Sequence, residues 1–282
     1  HSLRRRQRQM CIRDRHYTEC IATGGEVSVM QRDEFLQQLW LDYIHCHPDI
    51  GALSLWPLEN RAEYCVLVTL NRPPYQAQRL LPTLYHFGYR RVGHHAMADR
   101  GILVNVLSSG NDDAWIVLIE LQLDTLTQVP RQHLEALINR SHPQDGQGQN
   151  LLSRGRPWPM PDWPTYQQLH EAHPLAAWLA IMGPRMHHVG FDCQRLGQDI
   201  AEYADVITEA GLKPGSQTLL PISPLLDYRY YACCTQRAVF AAGDEHRVTT
   251  GGLALVQKRL SGTRERAAEL LLPQHTRCEL SA

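Results

Sequence analysis

The residues of this chain best suited to chemistry are histidines and one isolated carboxylate. His187 and His188 stand together in Arg185-Met186-His187-His188-Val189-Gly190-Phe191, and Glu120 stands alone in the apolar run Ile116-Val117-Leu118-Ile119-Glu120-Leu121. Neutral imidazole is the commonest metal ligand and carries protons near neutrality. Paired histidines on a strand could present a buried metal site. A carboxylate in an apolar strand must in any case be paired, hydrogen-bonded or neutral. Neighbours on a strand face opposite sides, so His187 is expected to point away from His188.

The remaining histidines carry weaker signals. His45-Cys46-His47 has a short, metal-like spacing, but on a helix residues two apart point about 200° apart. His170 and His173 stand at i and i+3 on a candidate helix, a spacing that allows metal binding and equally describes a solvated face. His94-His95 follow Arg90-Arg91 and fit either the mouth of a cavity for an anion or a half-exposed strand end. No glycine-rich dinucleotide loop, Walker loop, His-Glu-x-x-His or Gly-x-Ser-x-Gly sequence is present. Nucleotide, zinc-protease and serine-hydrolase chemistries are therefore not indicated.

These side chains need elements to position them. Phe35, Leu36, Leu39, Trp40, Tyr43 and Ile44 recur at helical spacing, with Asp33 as a possible N-cap and His47-Pro48 as the end. Tyr64–Leu70 reads as a strand broken by Asn71-Arg72-Pro73-Pro74. A helix with Leu80, Leu81, Leu84 and Phe87 follows and ends at Gly88, and then strands come near Tyr89–His95, Ile102–Leu107 and Trp115–Leu121. The order recurs: strand Met186–Cys193, a helix marked by Ile200, Ala204 and Ile207, and strands near Tyr228–Cys234, Ala238–Ala241 and Gly252–Gln257. Helices are expected over 131–139 and 165–182, with a surface loop at Gln144–Asn150. The expected fold is thus α+β. Two βαβββ modules, about 60–121 and 186–257, flank a helical insert of about 130–183 within one domain of 30–259. By this repeat Tyr64 and His188 are equivalent first-strand positions, and Glu120 matches Leu253 or Ala254 on the last strands. Glu120 and His188 could then meet across a shared cavity, with His187, Tyr64 or Cys65 as a third donor.

Composition narrows the partners. Lys and Arg number 28 against 29 Asp and Glu, a net charge of −1, so no global field draws the chain to nucleic acid or to an acidic membrane. No apolar run of about 18 residues appears, which argues against a membrane helix and makes the cytoplasm the expected address. The eight cysteines show no Cys-x-x-Cys pair and read as reduced, mostly buried thiols. Residues 1–15 are basic, without apolar periodicity, and resemble a translated sequencing adapter; 1–29 is expected to be a non-native or disordered leader, with Met30 a candidate start. Residues 260–282 show only a charged helix around Arg264–Leu272.

The segments Arg156-Pro157-Trp158-Pro159, Ala176-Ala177-Trp178-Leu179-Ala180 and Gly183–Phe191 resemble the second half of the 2-oxoadipate dioxygenase/decarboxylase family, within the vicinal oxygen chelate superfamily. Ile119-Glu120-Leu121, Ser223–Asp227 and Phe240–Gly243 extend the resemblance over most of residues 33–259. It implies two vicinal oxygen chelate modules around a shared cavity and Fe(II) held by two histidines and a glutamate. It further implies conversion of a 2-oxo acid such as 2-oxoadipate, with dioxygen, to a 2-hydroxy acid. His188 takes the place of one ligand histidine, and Arg185 becomes a candidate partner for a substrate carboxylate. Where the family has a ligand histidine on its first strand this chain has Tyr64, and where it has a glutamate before the closing arginine this chain has Leu253-Ala254-Leu255. The resulting expectation is a metal site of His188, Glu120 and Tyr64. The alternative is a catalytically degenerate member that binds a small molecule or a partner.

Overall fold

The computed structural model describes residues 26–53, 55, 62–110, 112–141, 152–214, 225–233, 237–259 and 265–271. The leader up to residue 25, the loop 144–150, Cys234 and the end of the tail lie outside them. Helix α1 (Glu26–Cys46) and the short α2 (Pro48–Ala52) precede the first module, β1 (Tyr64–Leu70), α3 (Ala77–His86), β2 (Arg90–Met97), β3 (Ile102–Ser108) and β4 (Trp115–Leu121). The helical insert holds α4 (Gln128–Ile138), α5 (Trp163–Ala172) and α6 (Pro174–Met182). The second module begins with β5 (Arg185–Asp192), α7 (Cys193–Leu196), α8 (Ile200–Glu209) and β6 (Lys213–Pro214). It continues through β7 (Leu226–Cys233), β8 (Arg237–Val239), β9 (Glu245–Arg247) and β10 (Gly251–Lys258), and α9 (Ala267–Leu271) closes the described chain.

The strands form one eight-stranded sheet in the order β2-β3-β4-β1-β5-β10-β7-β6. Read outward from the β1–β5 junction, each half repeats first, last, third and second strand. The junction is antiparallel and pairs Tyr64 with Gly190 and Val66 with His188. A two-fold axis between these pairs exchanges Tyr64 with His188 and Val66 with Gly190, which is the equivalence the sequence repeat implies. The parallel pairs Tyr64–Trp115 and His188–Gly252 extend it: Trp115 corresponds to Gly252, Val117 to Ala254, and Glu120 to Gln257. Glu120 is therefore not the counterpart of Leu253 or Ala254.

Two further expectations change. Residues 238–241 do not contribute a sheet strand, because β8 pairs only with β9 in a separate two-stranded ribbon. The place of the second strand goes instead to β6, two residues long, which pairs with β7 at Ala232 and Tyr231. The expected helix over 165–182 is two helices, since Pro174 cannot donate a backbone hydrogen bond and the preceding His173 is extended at φ −165°, ψ 122°.

Burial accounts for the packing of these layers. Strands β1, β4 and β5 are buried along their whole length, which matches their near-continuous apolar runs. Helix α1 lays Phe35, Leu36, Leu39, Trp40 and Tyr43 into the core, and starts before the Asp33 expected to cap it. Its Arg32 pairs at 2.8 Å with Asp113, both nearly inaccessible. The tail segment is docked through Glu63, whose carboxylate takes Arg266 at 3.0 Å and the backbone N–H of Ala268 at 2.9 Å. Cys65 and Cys193 are buried free thiols, Cys233 is buried and Cys46 is half-buried. No described helix is long and apolar enough to cross a membrane.

Candidate functional site

Alternate residues of a strand face opposite sides of its sheet, so register decides which side chains can meet. Tyr64, Val66, Trp115 and Val117 share one face with His188, Gly190, Gly252 and Ala254. Thr69 is five residues from Tyr64 and pairs with Glu120, which puts both on the other face. There the Glu120 carboxylate accepts the N–H of Ala77, the first residue of α3, at 2.6 Å and the side-chain amide of Gln122 at 2.7 Å. A carboxylate at a helix N-terminus satisfies an orphan donor and complements the helix dipole. Glu120 anchors α3 and is not brought together with His188.

His188 is fully buried. Tyr64 and Tyr230 meet its ring edge-on, with centroids 6.2 and 5.5 Å away. Both tyrosines lie over glycines. A Cβ on Gly190 would come within 2.1 Å of the Tyr64 ring, and one on Gly252 within 2.3 Å of the Tyr230 hydroxyl. The volume around His188 is thus occupied by phenol rings. Burial pushes the His188 imidazole down to about 3 and raises the Tyr230 phenol above its ordinary range, so the first stays neutral and the second resists becoming a phenolate ligand.

His187 departs from simple alternation. The β1–β5 register slips between Val66 and Leu67, whose partners are His188 and Met186, and His187 falls in the slip. The bulge turns its ring toward that of His188, with the two Nδ1 atoms 2.8 Å apart, where alternation points it away. One nitrogen donates and the other accepts, so the pair is neutral. Burial, then His188 and His47, hold the His187 imidazole well below its ordinary value.

His187 and Tyr230 also border a cavity of about 400 Å³, within the range of small-molecule sites. Its aromatic wall is Trp163, Tyr166 and Trp178, with Arg247, His170 and Glu171 also lining it; these last three are exposed. The β8–β9 ribbon braces this wall, since His246 stacks on Trp163 at 3.7 Å and Phe240 meets it edge-on at 5.0 Å. Trp178 packs 4.9 Å from His187 and donates its indole N–H to the Thr250 carbonyl.

The expected pair His170 and His173 is split by the α5–α6 break: His170 lines the cavity, whereas His173 accepts the Leu175 N–H and contacts the Arg100 carbonyl. Sequence reasoning does not single out His47 as a site neighbour. It follows the end of α1, is buried, and has Nδ1 2.8 Å from the Tyr43 carbonyl; its sequence signals are the His45-Cys46-His47 spacing and the Pro48 that ends the helix. Arg185 is turned elsewhere, toward Asp42 at 3.2 Å and the Cys46 sulfur at 3.0 Å.

These positions do not fit the implied Fe(II). The Glu120 carboxylate is on the far face, Tyr64 occupies the volume beside His188, and the carboxylate that shares the described inner face with His188, Asp192, stands four residues along β5 and accepts the Gln194 N–H at 3.0 Å. Among the described residues no cluster of three or more His, Cys, Asp or Glu side chains is placed to hold a metal ion. Ala254 faces the same way as His188, whereas Leu253 faces the opposite way.

No protein-family profile matches the chain, and no curated protein matches it. Solved structures do. Hydroxyglutarate synthase from Oryza sativa, in complex with 2-oxoadipate, is similar at 16% identity and a TM-score of 0.71, covering 88% of this chain and 86% of that one. A candidate hydrolase from Shewanella frigidimarina is similar at 18% identity and 0.70, over 82% and 94%. A candidate glyoxalase-superfamily protein from Ralstonia eutropha follows at 13% and 0.58, over 84% of each. At these identities the likeness shows the fold: the frame is of the vicinal oxygen chelate type.

Proposed function

We propose that this chain is a small-molecule-binding protein on a vicinal oxygen chelate frame. Its ligand is a small 2-oxo acid or similar carboxylate held in the aromatic cavity, and it does not run an Fe(II)-dependent dioxygenation. The observation that carries this reading is the pairing of an inner face filled by Tyr64 and Tyr230 over Gly190 and Gly252 with an open cavity of about 400 Å³ next to His187. The ligand class is supported by the rice structure, which holds 2-oxoadipate in the same fold, and by Arg247 and His170 among the cavity residues.

Within that cavity the residues divide the work. Arg247 meets a carboxylate with a paired, charge-assisted contact. Trp163, Tyr166 and Trp178 exclude water from an aliphatic chain. His187, neutral and hydrogen-bonded to His188, offers one hydrogen bond to a carbonyl oxygen.

Calorimetry with 2-oxoadipate on chelator-treated protein tests the reading. Saturable binding is expected, weakened about tenfold by Arg247→Gln, on the order of one charge-assisted contact. Anaerobic reconstitution is expected to leave less than stoichiometric iron and no oxygen uptake with 2-oxoadipate. One equivalent of Fe(II), lost in His188→Ala, together with oxygen uptake would overturn the proposal and restore the dioxygenase reading.

A further inference from the structure

A second cavity, of about 360 Å³, lies near the C-terminal ends of α1 and α6 and beside β8, and three arginines line it, Arg156, Arg185 and Arg237, together with Cys46, Met160 and Thr250. The three cations are poorly matched by anions. Arg185 is buried and paired with Asp42 at 3.2 Å. Arg237 meets Glu245 only at the exposed rim, at 3.5 Å, a contact worth little in water. Arg156 has neutral acceptors: the Trp158 carbonyl at 2.9 Å, the Ile181 carbonyl at 2.6 Å and the Met160 sulfur at 3.2 Å. Among the described residues it has no carboxylate.

A half-buried guanidinium beside a second one, without its own counter-charge, is a costly arrangement unless an anion completes it. The cost is visible in Arg156, which burial and then the neighbouring Arg185 push below its ordinary value. The backbone turns that build the wall are specific to it. Gly155 has φ +83° and lies against Arg185, whose Nη2 would be 3.0 Å from a Cβ there. Arg156, in turn, ties the segment after Gly155 to the end of α6.

We propose that this cavity is an anion site, separate from the aromatic cavity, which takes the phosphate or carboxylate group of a small molecule against Arg156 and Arg237, with Arg185 held by Asp42 as fixed positive backing. The guanidinium fork suits either oxyanion. Neither His187 nor Tyr230 lines this cavity, so its failure and that of the aromatic-cavity reading are separable.

The test is calorimetry on the full chain at constant ionic strength, with inorganic phosphate and, separately, malonate as probes and chloride as the reference. Saturable binding of at least one probe is expected, weakened about tenfold by Arg156→Gln, the loss of one charge-assisted contact. Arg237→Gln should weaken it by a smaller factor, and His170→Gln, on α5 in the other cavity, should leave it intact. Saturation by phosphate alone assigns a phosphoryl ligand, and saturation by malonate alone a carboxylate. If neither probe saturates, or if folded Arg156→Gln binds as the wild type does, the site is refuted. Should Arg156→Gln fail to fold, the exposed Arg237 decides: unchanged affinity in Arg237→Gln overturns the proposal.

Discussion

The two modules share one topology and divide it unequally. On the inner face of the first, Tyr64, Val66, Trp115 and Val117 occupy the positions that His188, Gly190, Gly252 and Ala254 occupy in the second. Bulk in one half is answered by small residues in the other, and the Tyr64 ring crosses the junction to lie over Gly190. The inner face of the first module's β1 and β4 is a packed wall. The second, with the helical insert and the β8–β9 ribbon, keeps the histidines and the cavity. A duplicated fold can therefore fill one half and leave the other small as long as volume is conserved across the axis, because core packing tolerates exchange of side chains better than it tolerates voids.

The largest expected effect attacks that exchange of volume. Gly190→Ala should cost about 3–5 kcal/mol, since the methyl would lie within 2.1 Å of a Tyr64 ring that is itself fully buried. Tyr64→Ala on that background should recover part of the loss, so denaturant unfolding of the double-mutant cycle should show a coupling of about 1–3 kcal/mol. Simple additivity would mean that the two modules do not share volume at this point.

Next comes acid. The unfolded chain binds protons on its histidines near pH 6.5, whereas folded His188 does not until about 3, and His187 and His47 are also lowered by burial. Below pH 6.5 the unfolded state binds more protons, so stability falls as pH falls, and for His188 the loss continues down to about pH 3. The slope is about 1.4 kcal/mol per pH unit for each such imidazole. Urea unfolding at pH 7.5, 6 and 5 should show this loss, and His187→Leu should flatten it by one imidazole's share. The histidine on the first module's described inner face, His95 on β2, is half-exposed and not buried, so hydrogen exchange at pH 5 should rise first in β5 and β10. Equal rises in β1 and β4 would break the contrast.

Much of this frame was legible because burial writes itself into composition. Strands β1 and β4 begin and end where their apolar runs do, and Pro73-Pro74 and Ser108-Ser109-Gly110 mark the breaks. The two-residue β6 has no pattern to read, since Lys213-Pro214 joins the sheet only because β7 offers it an edge. The side on which Glu120 falls depends on register, which is a property of strand pairs and not of a segment. Strict alternation sends His187 away from His188, and a bulge suspends alternation without leaving a mark in the residue types.

Glu120 sharpens the comparison from the first module's side. If it serves α3 and not the cavity, Glu120→Gln should lower stability by about 1–2 kcal/mol, through the weakened bond to the Ala77 N–H, and leave binding of 2-oxoadipate unchanged. A variant with unaltered stability and altered ligand affinity would return Glu120 to the site.

The smallest expected effect, and the most diagnostic, places metal ligands on the inner face. Tyr64→His removes a phenol from the inner face and puts an imidazole opposite Gly190, two residues along the junction from the Val66–His188 pair. Ala254→Glu adds a carboxylate on the same face, one strand away from Gly190. Together they recreate two imidazoles and one carboxylate, the set that suits Fe(II). His188 must leave its hydrogen bond with His187 to take part, and the new carboxylate would stand at a fully buried position, so both costs act against the gain. An increase of about tenfold in Fe(II) affinity over the wild type is expected, about 1.4 kcal/mol. Leu253→Glu with Tyr64→His should give none, because residue 253 faces the other side of the sheet. An equal gain from both combinations would show that affinity follows added charge and not the inner face, and a gain from neither would mean that the tyrosine-filled junction no longer has the geometry of a chelate.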